Sequence, residues 1–137
     1  MAEPFSEIPT GAPTVKTRGS DFWLHKGILL GRTRPKSTHG ELQDAVDAFT
    51  KLKALTGGSR YPLIFDARNV GWLHIRAREH IHRHAAELFT RAAVIVRPNT
   101  LRVFSRALLG VARVEIPVEI FLDEQSAWEF VSRPEAA

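Results

Sequence analysis

The chain has 137 residues, a formal net charge of +4, 44% hydrophobic residues and no cysteine. That length and apolar content suit one domain with a packed core and argue against a disordered chain, while the lack of cysteine excludes disulfides and thiolate chemistry and fits a reducing compartment. No apolar run approaches the roughly 20 residues that span a bilayer, and the start, MAEPFSEIPTGAPTV, lacks the basic-then-apolar order of a signal peptide, so a cytoplasmic location without membrane insertion is expected.

Residues 1–13 hold Pro4, Pro9, Gly11 and Pro13 with little apolar periodicity and read as a flexible leader to a single domain over 14–137. A strand is expected near Asp21–His25, a turn at Lys26-Gly27, and a partner strand from Ile28 to about Arg34, together an opening hairpin. Trp23 reads as a packing residue on that hairpin. Thr38-His39-Gly40-Glu41 fits a capping box, with Thr38 as N-cap. The helix that follows places Leu42, Ala45, Val46, Phe49 and Leu52 on one face, and Gly57-Gly58 ends it.

Tyr61–Asp66 is a strand without polar alternation at Leu63-Ile64-Phe65, the pattern of a strand covered on both faces or lying inside a sheet. A loop over 67–73 leads to a helix over about Ile75–Phe89, with Ala77, Ile81, Ala85 and Leu88 inward and Arg76, His80, Arg83, His84 and Glu87 in water. Ala92–Val96 is a short apolar strand. Asn99 or Thr100 can cap a third helix, whose apolar stripe is Leu101, Phe104, Leu108 and Val111. Ile116–Leu122 is the last strand, with Pro117 suiting a strand start or an edge. Asp123 caps a final helix that buries Ala127, Phe130 and Val131. The order β-β-α-β-α-β-α-β-α predicts an α/β two-layer sandwich on a mixed sheet of about five strands.

Charge is uneven along the chain. Between Ala67 and Arg113 the arginines Arg68, Arg76, Arg78, Arg83, Arg91, Arg97, Arg102, Arg106 and Arg113 face only Glu79 and Glu87, whereas the tail is acidic. Either the basic middle meets an anionic partner, or the acidic tail folds back beside it. Nucleic-acid binders carry a larger total excess, which weighs against that class.

The candidate site lies where the central strand ends. Asp66, Arg68, Asn69, Trp72, His74, Arg76 and Arg78 form a basic, aromatic-containing loop and helix start. Loops at strand ends carry side chains that the core does not need. Helix N-termini favour negative charge, and the same residue types suit a protein interface. Asp66 could serve as a general base, but neither a Ser-His nor a Cys-His arrangement accompanies it. A structural role, accepting loop amides or pairing with an arginine such as Arg78, is the competing reading. His80 and His84 stand one helical turn apart, a spacing that can hold a metal. His82 points elsewhere and no third ligand follows from the sequence, so a solvated face is expected there and no cofactor or metal is assigned. Gly57-Gly58 lacks the Lys-Ser/Thr of a phosphate-binding loop.

Several short motifs, in order, resemble the SpoIIAA-like (STAS-type) domains, and more closely a group of uncharacterised bacterial proteins of that fold. They are Lys26-Gly27-Ile28-Leu29, then Asp66-Ala67-Arg68 after an apolar strand, Ala77-Arg78 in the next helix, and Phe121-Leu122-Asp123 running into Ala127-Trp128. The resemblance covers roughly Asp21–Arg133. Anti-sigma-factor antagonists of this fold carry a phosphorylatable Ser at the start of the second helix. The matching positions here are Ile75 and Arg76, which have no hydroxyl, so the usual switch is expected to be absent. The resemblance thus implies a non-enzymatic domain that binds another protein through the strand-end loop and second helix. Two other readings stay open: a small-molecule or lipid carrier with an apolar pocket between helices and sheet, and a homodimer formed through exposed sheet edges.

Overall fold

A computed structural model describes residues 11–34, 40–70, 74–109 and 115–134. The hairpin forms as the sequence indicates. β2 (Ser20–His25) and β3 (Ile28–Thr33) pair antiparallel, with His25 opposite Ile28 and Asp21 opposite Arg32. Lys26 and Gly27 both take positive φ, 51° and 78°, the geometry that lets a two-residue turn follow the twist of its strands.

β1 (Thr14–Lys16) adds to the outer edge of β2, placing Val15 opposite Phe22. The sheet therefore has six strands rather than about five. A three-residue segment shows too little alternation to be read as a strand, and it is the open edge of β2 that holds it. Of the expected leader over 1–13, residues 1–10 lie outside the described residues. Pro13, just before β1, is tied to the sheet by its carbonyl, which accepts a hydrogen bond from the Leu24 amide at 3.2 Å.

α1 (Leu42–Thr56) starts later than the expected box. Thr38 lies outside the described residues, and Glu41 is the N-cap. Its amide donates to Asp44 Oδ2 at 3.0 Å, which satisfies a helix-end donor one turn further along. Gly57, in the left-handed region, ends the helix with its amide on the Lys53 carbonyl.

β4 (Tyr61–Asp66) runs parallel to β3, and α2 (Ile75–Leu88) follows it. β5 (Phe89–Ile95) begins at the residue after α2 and pairs parallel with β4. A 3-10 turn at Pro98–Thr100 opens α3 (Leu101–Leu109). β6 (Val118–Phe121) pairs parallel with β5, and α4 (Glu124–Ser132) closes the chain. Strand order in the sheet is the sequence order, β1 to β6, with β1 and β6 at the edges. Among the described residues no helix is long and apolar enough to cross a membrane.

Successive side chains of a strand point to opposite faces, and here both faces are covered. Phe22, Leu29, Leu63 and Ala92 turn toward Phe49 and Leu52 of α1 and Ala85 and Leu88 of α2. Trp23, Leu30, Ile64, Ala93 and Ile95 turn the other way, toward Ala127, Phe130 and Val131 of α4. The larger core is the helix layer expected from the amphipathic stripes, and α4 adds a second, smaller one around the fully buried Trp23. His82, which points away from the His80–His84 face, is buried in the fold with Ala77, Ala85 and Leu88 of the same helix.

Gly31 stands between Phe22 and Phe65 on neighbouring strands. The two rings stack over it with centroids 5.8 Å apart. A Cβ at residue 31 would lie 2.5 Å from the Phe22 ring and 2.8 Å from the Phe65 ring. Gly31→Ala should therefore lower stability by about 1–3 kcal/mol through overpacking, measured as a lower urea midpoint. An unchanged midpoint would mean that the rings part without cost.

Candidate functional site

β4 delivers Asp66 to the carboxyl end of the parallel strands, on the face shared with Ile64 two residues earlier. Its carboxylate receives the Arg68 backbone amide at 3.0 Å, the Arg68 Nε at 2.9 Å and an Arg68 terminal nitrogen at 2.7 Å. The partner of Asp66 is therefore Arg68 and not Arg78. The same Arg68 nitrogen donates to Glu124 Oε1, in the first turn of α4, at 2.9 Å. Hydrogen bonding to Asp66 is the main cause that holds the Arg68 guanidinium well above its ordinary pKa, against the opposing effect of burial.

Asn69 continues the stitching. Its amide nitrogen donates to the Thr33 carbonyl of β3 at 3.3 Å, and its oxygen accepts from Arg97 at 3.2 Å. The Ala67 amide donates to the Ile95 carbonyl of β5 at 2.8 Å. The loop after β4 is thus held from β3, β5 and α4 at once.

A second ionic group occupies the hairpin's share of this face. Asp21, only 4% exposed, accepts from Arg34 at 2.7 Å and Arg32 at 3.4 Å. The Arg32 guanidinium lies 5.3 Å from the centre of the Trp23 ring, a cation–π contact. Arg34 also donates to the carbonyls of Thr17, Arg18 and Ser20 and so closes the β1–β2 turn. Sequence reasoning missed this group, although the signal existed: a two-residue turn at Lys26-Gly27 puts Asp21 directly opposite Arg32.

The start of α2 presents a different surface. His74 is its N-cap, with Nδ1 accepting the Arg76 amide at 3.1 Å. The His74 amide donates to the Gly40 carbonyl at 2.7 Å, which ties the beginnings of α1 and α2 together. Ile75, the first residue of the helix, is 51% exposed. Arg76 is exposed beside it, and the first turn contains no acid to balance the helix dipole. Arg78 is half-buried, with its Nε enclosed. Trp72 lies outside the described residues. Of the expected set, Asp66 and Arg68 are bonded to each other, Asn69 bonds Thr33 and Arg97 instead, and His74 and Arg76 form the helix start. Ile75, which the sequence reading did not include, stands out between them.

The histidine pattern divides. His80 and His84 lie side by side, 4.4 Å between ring centres, while His82 is buried. His84 contacts Glu87, whose other oxygen takes Lys53 at 2.6 Å. Those two hydrogen bonds, the Lys53 bond first, hold the Glu87 carboxyl down at about 2.

A family model described as a domain of unknown function, DUF7793, matches residues 22–134, and the chain belongs to that family. The fold is SpoIIAA-like. Among solved structures, the chain is similar to an uncharacterized protein of the DUF3478 family with a SpoIIAA-like fold from Shewanella loihica PV-4. Identity is 18%, the TM-score is 0.60, and the match covers 85% of this chain and 97% of that one. No curated protein matches the chain.

Replacing Arg68 by Met should leave two partly buried carboxylates without their shared cation and cost roughly 2 kcal/mol. A double-mutant cycle with Glu124→Gln, followed by denaturant unfolding, should return a coupling of about 1 kcal/mol. A coupling near zero would mean that the Arg68–Glu124 contact leaves the α4 attachment unaffected.

Proposed function

We propose that the protein is a non-catalytic binding module that engages another protein through the end of the β4 loop and the start of α2. The observation that carries this reading is Ile75, a large apolar side chain 51% exposed at a helix start. It stands between exposed His74 and Arg76, above a loop held by Asp66, Arg68, Asn69 and Glu124. A protruding apolar residue at a helix start, flanked by the Arg76 guanidinium and the His74 ring, has the make-up of an interface hot spot.

Two further points support it. Leu42 and Val103, in the first turns of α1 and α3, the helices that come next after β3 and β5, and Leu122, the residue after β6, are also exposed large apolar residues. The interiors on both faces of the sheet are filled by interlocking side chains, which favours surface binding over carriage of a small molecule or lipid. In this reading the first helical position holds Ile75 in place of a serine, so the partner is not released by phosphorylation at that point. Arg68 acts as a support for the surface and not as a contact.

Ile75→Asp and Arg76→Glu should each reduce co-purification of a partner from the native host about tenfold or more, with unchanged thermal unfolding. Arg68→Met should weaken recovery less than Ile75→Asp does. Full recovery with the Ile75 variant would rule out this surface.

A further inference from the structure

A further feature lies on the helical face and adjoins the strand-end surface, sharing Leu42 and Arg76 with it. α1 and α2 leave an open groove between them, made of two adjoining depressions of about 110 and 300 Å³ that share Val46 and His80. Its floor is apolar: Leu42, 37% exposed, then Val46 and Phe49, at helical spacing along α1. From Leu42 to Lys53 the groove runs about 16 Å, three turns of a helix.

The rim on α2 is basic. Arg76 and Arg83 are exposed and make no ion pair with a carboxylate among the described residues. Between them stands one acid, Glu79. Glu87, past the far end, is already engaged by Lys53 and His84. The groove thus combines an apolar strip with an excess of positive charge along one wall. A nucleic acid would match the charge and waste the strip. An amphipathic helix with acidic flanks matches both.

We propose that the α1–α2 groove docks an acidic amphipathic helix of a partner protein, its apolar face on Leu42, Val46 and Phe49 and its carboxylates opposite Arg76, His80 and Arg83. A second copy of this chain is a poor source of that helix. Its own acidic helix, α4, buries Ala127, Phe130 and Val131 against the sheet and has no apolar face left to offer.

The histidines make the groove responsive to acid. His80 packs edge-on against Phe49 of α1 at 5.4 Å and beside His84 of α2. Burial first, then the charge of His84, with Arg83 and Lys53 adding to it and Glu87 opposing, lowers its pKa below the ordinary histidine value. Carboxylates laid along the rim would raise it again, so the complex takes up protons that the unbound protein does not. Affinity for an acidic helix should then rise as pH falls through the histidine range, while glutamates remain ionised.

The test uses the full chain and a fluorescein-labelled peptide of about 16 residues with leucines at helical spacing flanked by glutamates. Two controls accompany it: the same peptide with lysines for glutamates, and a scrambled one. The glutamate peptide alone should bind, with amide shifts confined to Val46, Phe49, His80 and Arg83. Arg83→Glu and Val46→Asp, each checked for native unfolding behaviour, should weaken it about tenfold. Affinity should rise from pH about 7.5 to about 5.5, less so in His80→Gln. Ile75→Asp should bind the peptide normally, which separates this groove from the strand-end surface. Equal binding of the lysine or scrambled peptide, shifts elsewhere, no binding at all, or sedimentation showing a dimer broken by Arg83→Glu would each overturn the proposal.

Discussion

The structure depends on one constraint in β4: consecutive residues of a strand face opposite ways, and both ways here are apolar. Leu63 enters the core under α1 and α2, and Ile64 enters the core under α4. Each fully buried side chain of this size contributes about 1.5–3 kcal/mol when removed from water. Neither face of the strand can be left open without losing that, so the chain needs a helix on the far side as well as the two long ones on the near side. A short C-terminal helix meets the need.

Attachment of that helix and the first residues after β4 share one side chain, Arg68. Asp123 caps α4 by accepting the Ser126 amide at 2.8 Å, a bond that also lowers its pKa. Arg91 donates to the Phe130 carbonyl at 3.0 Å and lies over the Phe130 ring. Arg68 reaches from Asp66 to Glu124. Of these contacts, the one made by Arg68 also joins α4 to the residues that follow β4.

The arginine-rich middle of the chain resolves into two groups by the same logic. Arg68 and Arg91 hold half-buried positions, bonded to Asp66 and Glu124 and to the α4 backbone, and the exposed Arg97 bonds Asn69. Part of the acidic tail does fold back on the basic segment, through Glu124. Arg76 and Arg83 remain on the outer surface of α2. Exposed charges of this kind add little to stability, and their influence falls on what approaches the surface.

Much of the architecture was legible in the chain itself. The Lys26-Gly27 turn, the stop at Gly57, the two-sided burial of Leu63-Ile64, the Asp123 cap and the SpoIIAA-like resemblance are all local signals, carried by turn dihedrals, side-chain caps and apolar spacing within a few residues. The candidate site was legible as a place but not as a set of contacts. Asp66 was visible at a strand end, yet its cation Arg68 finds its other acid 56 residues away. Asp21 meets Arg34 only because a hairpin folds it there. β1 exists only against the edge of β2, and His82 is buried only because of what packs on α2. The sequence by itself determined the four helices, the strands other than β1, and where the loop after β4 begins. Tertiary structure decided which charges are spent inside and which face the water, because ion-pair partners and strand edges are set by what the folded chain brings together, not by spacing along it.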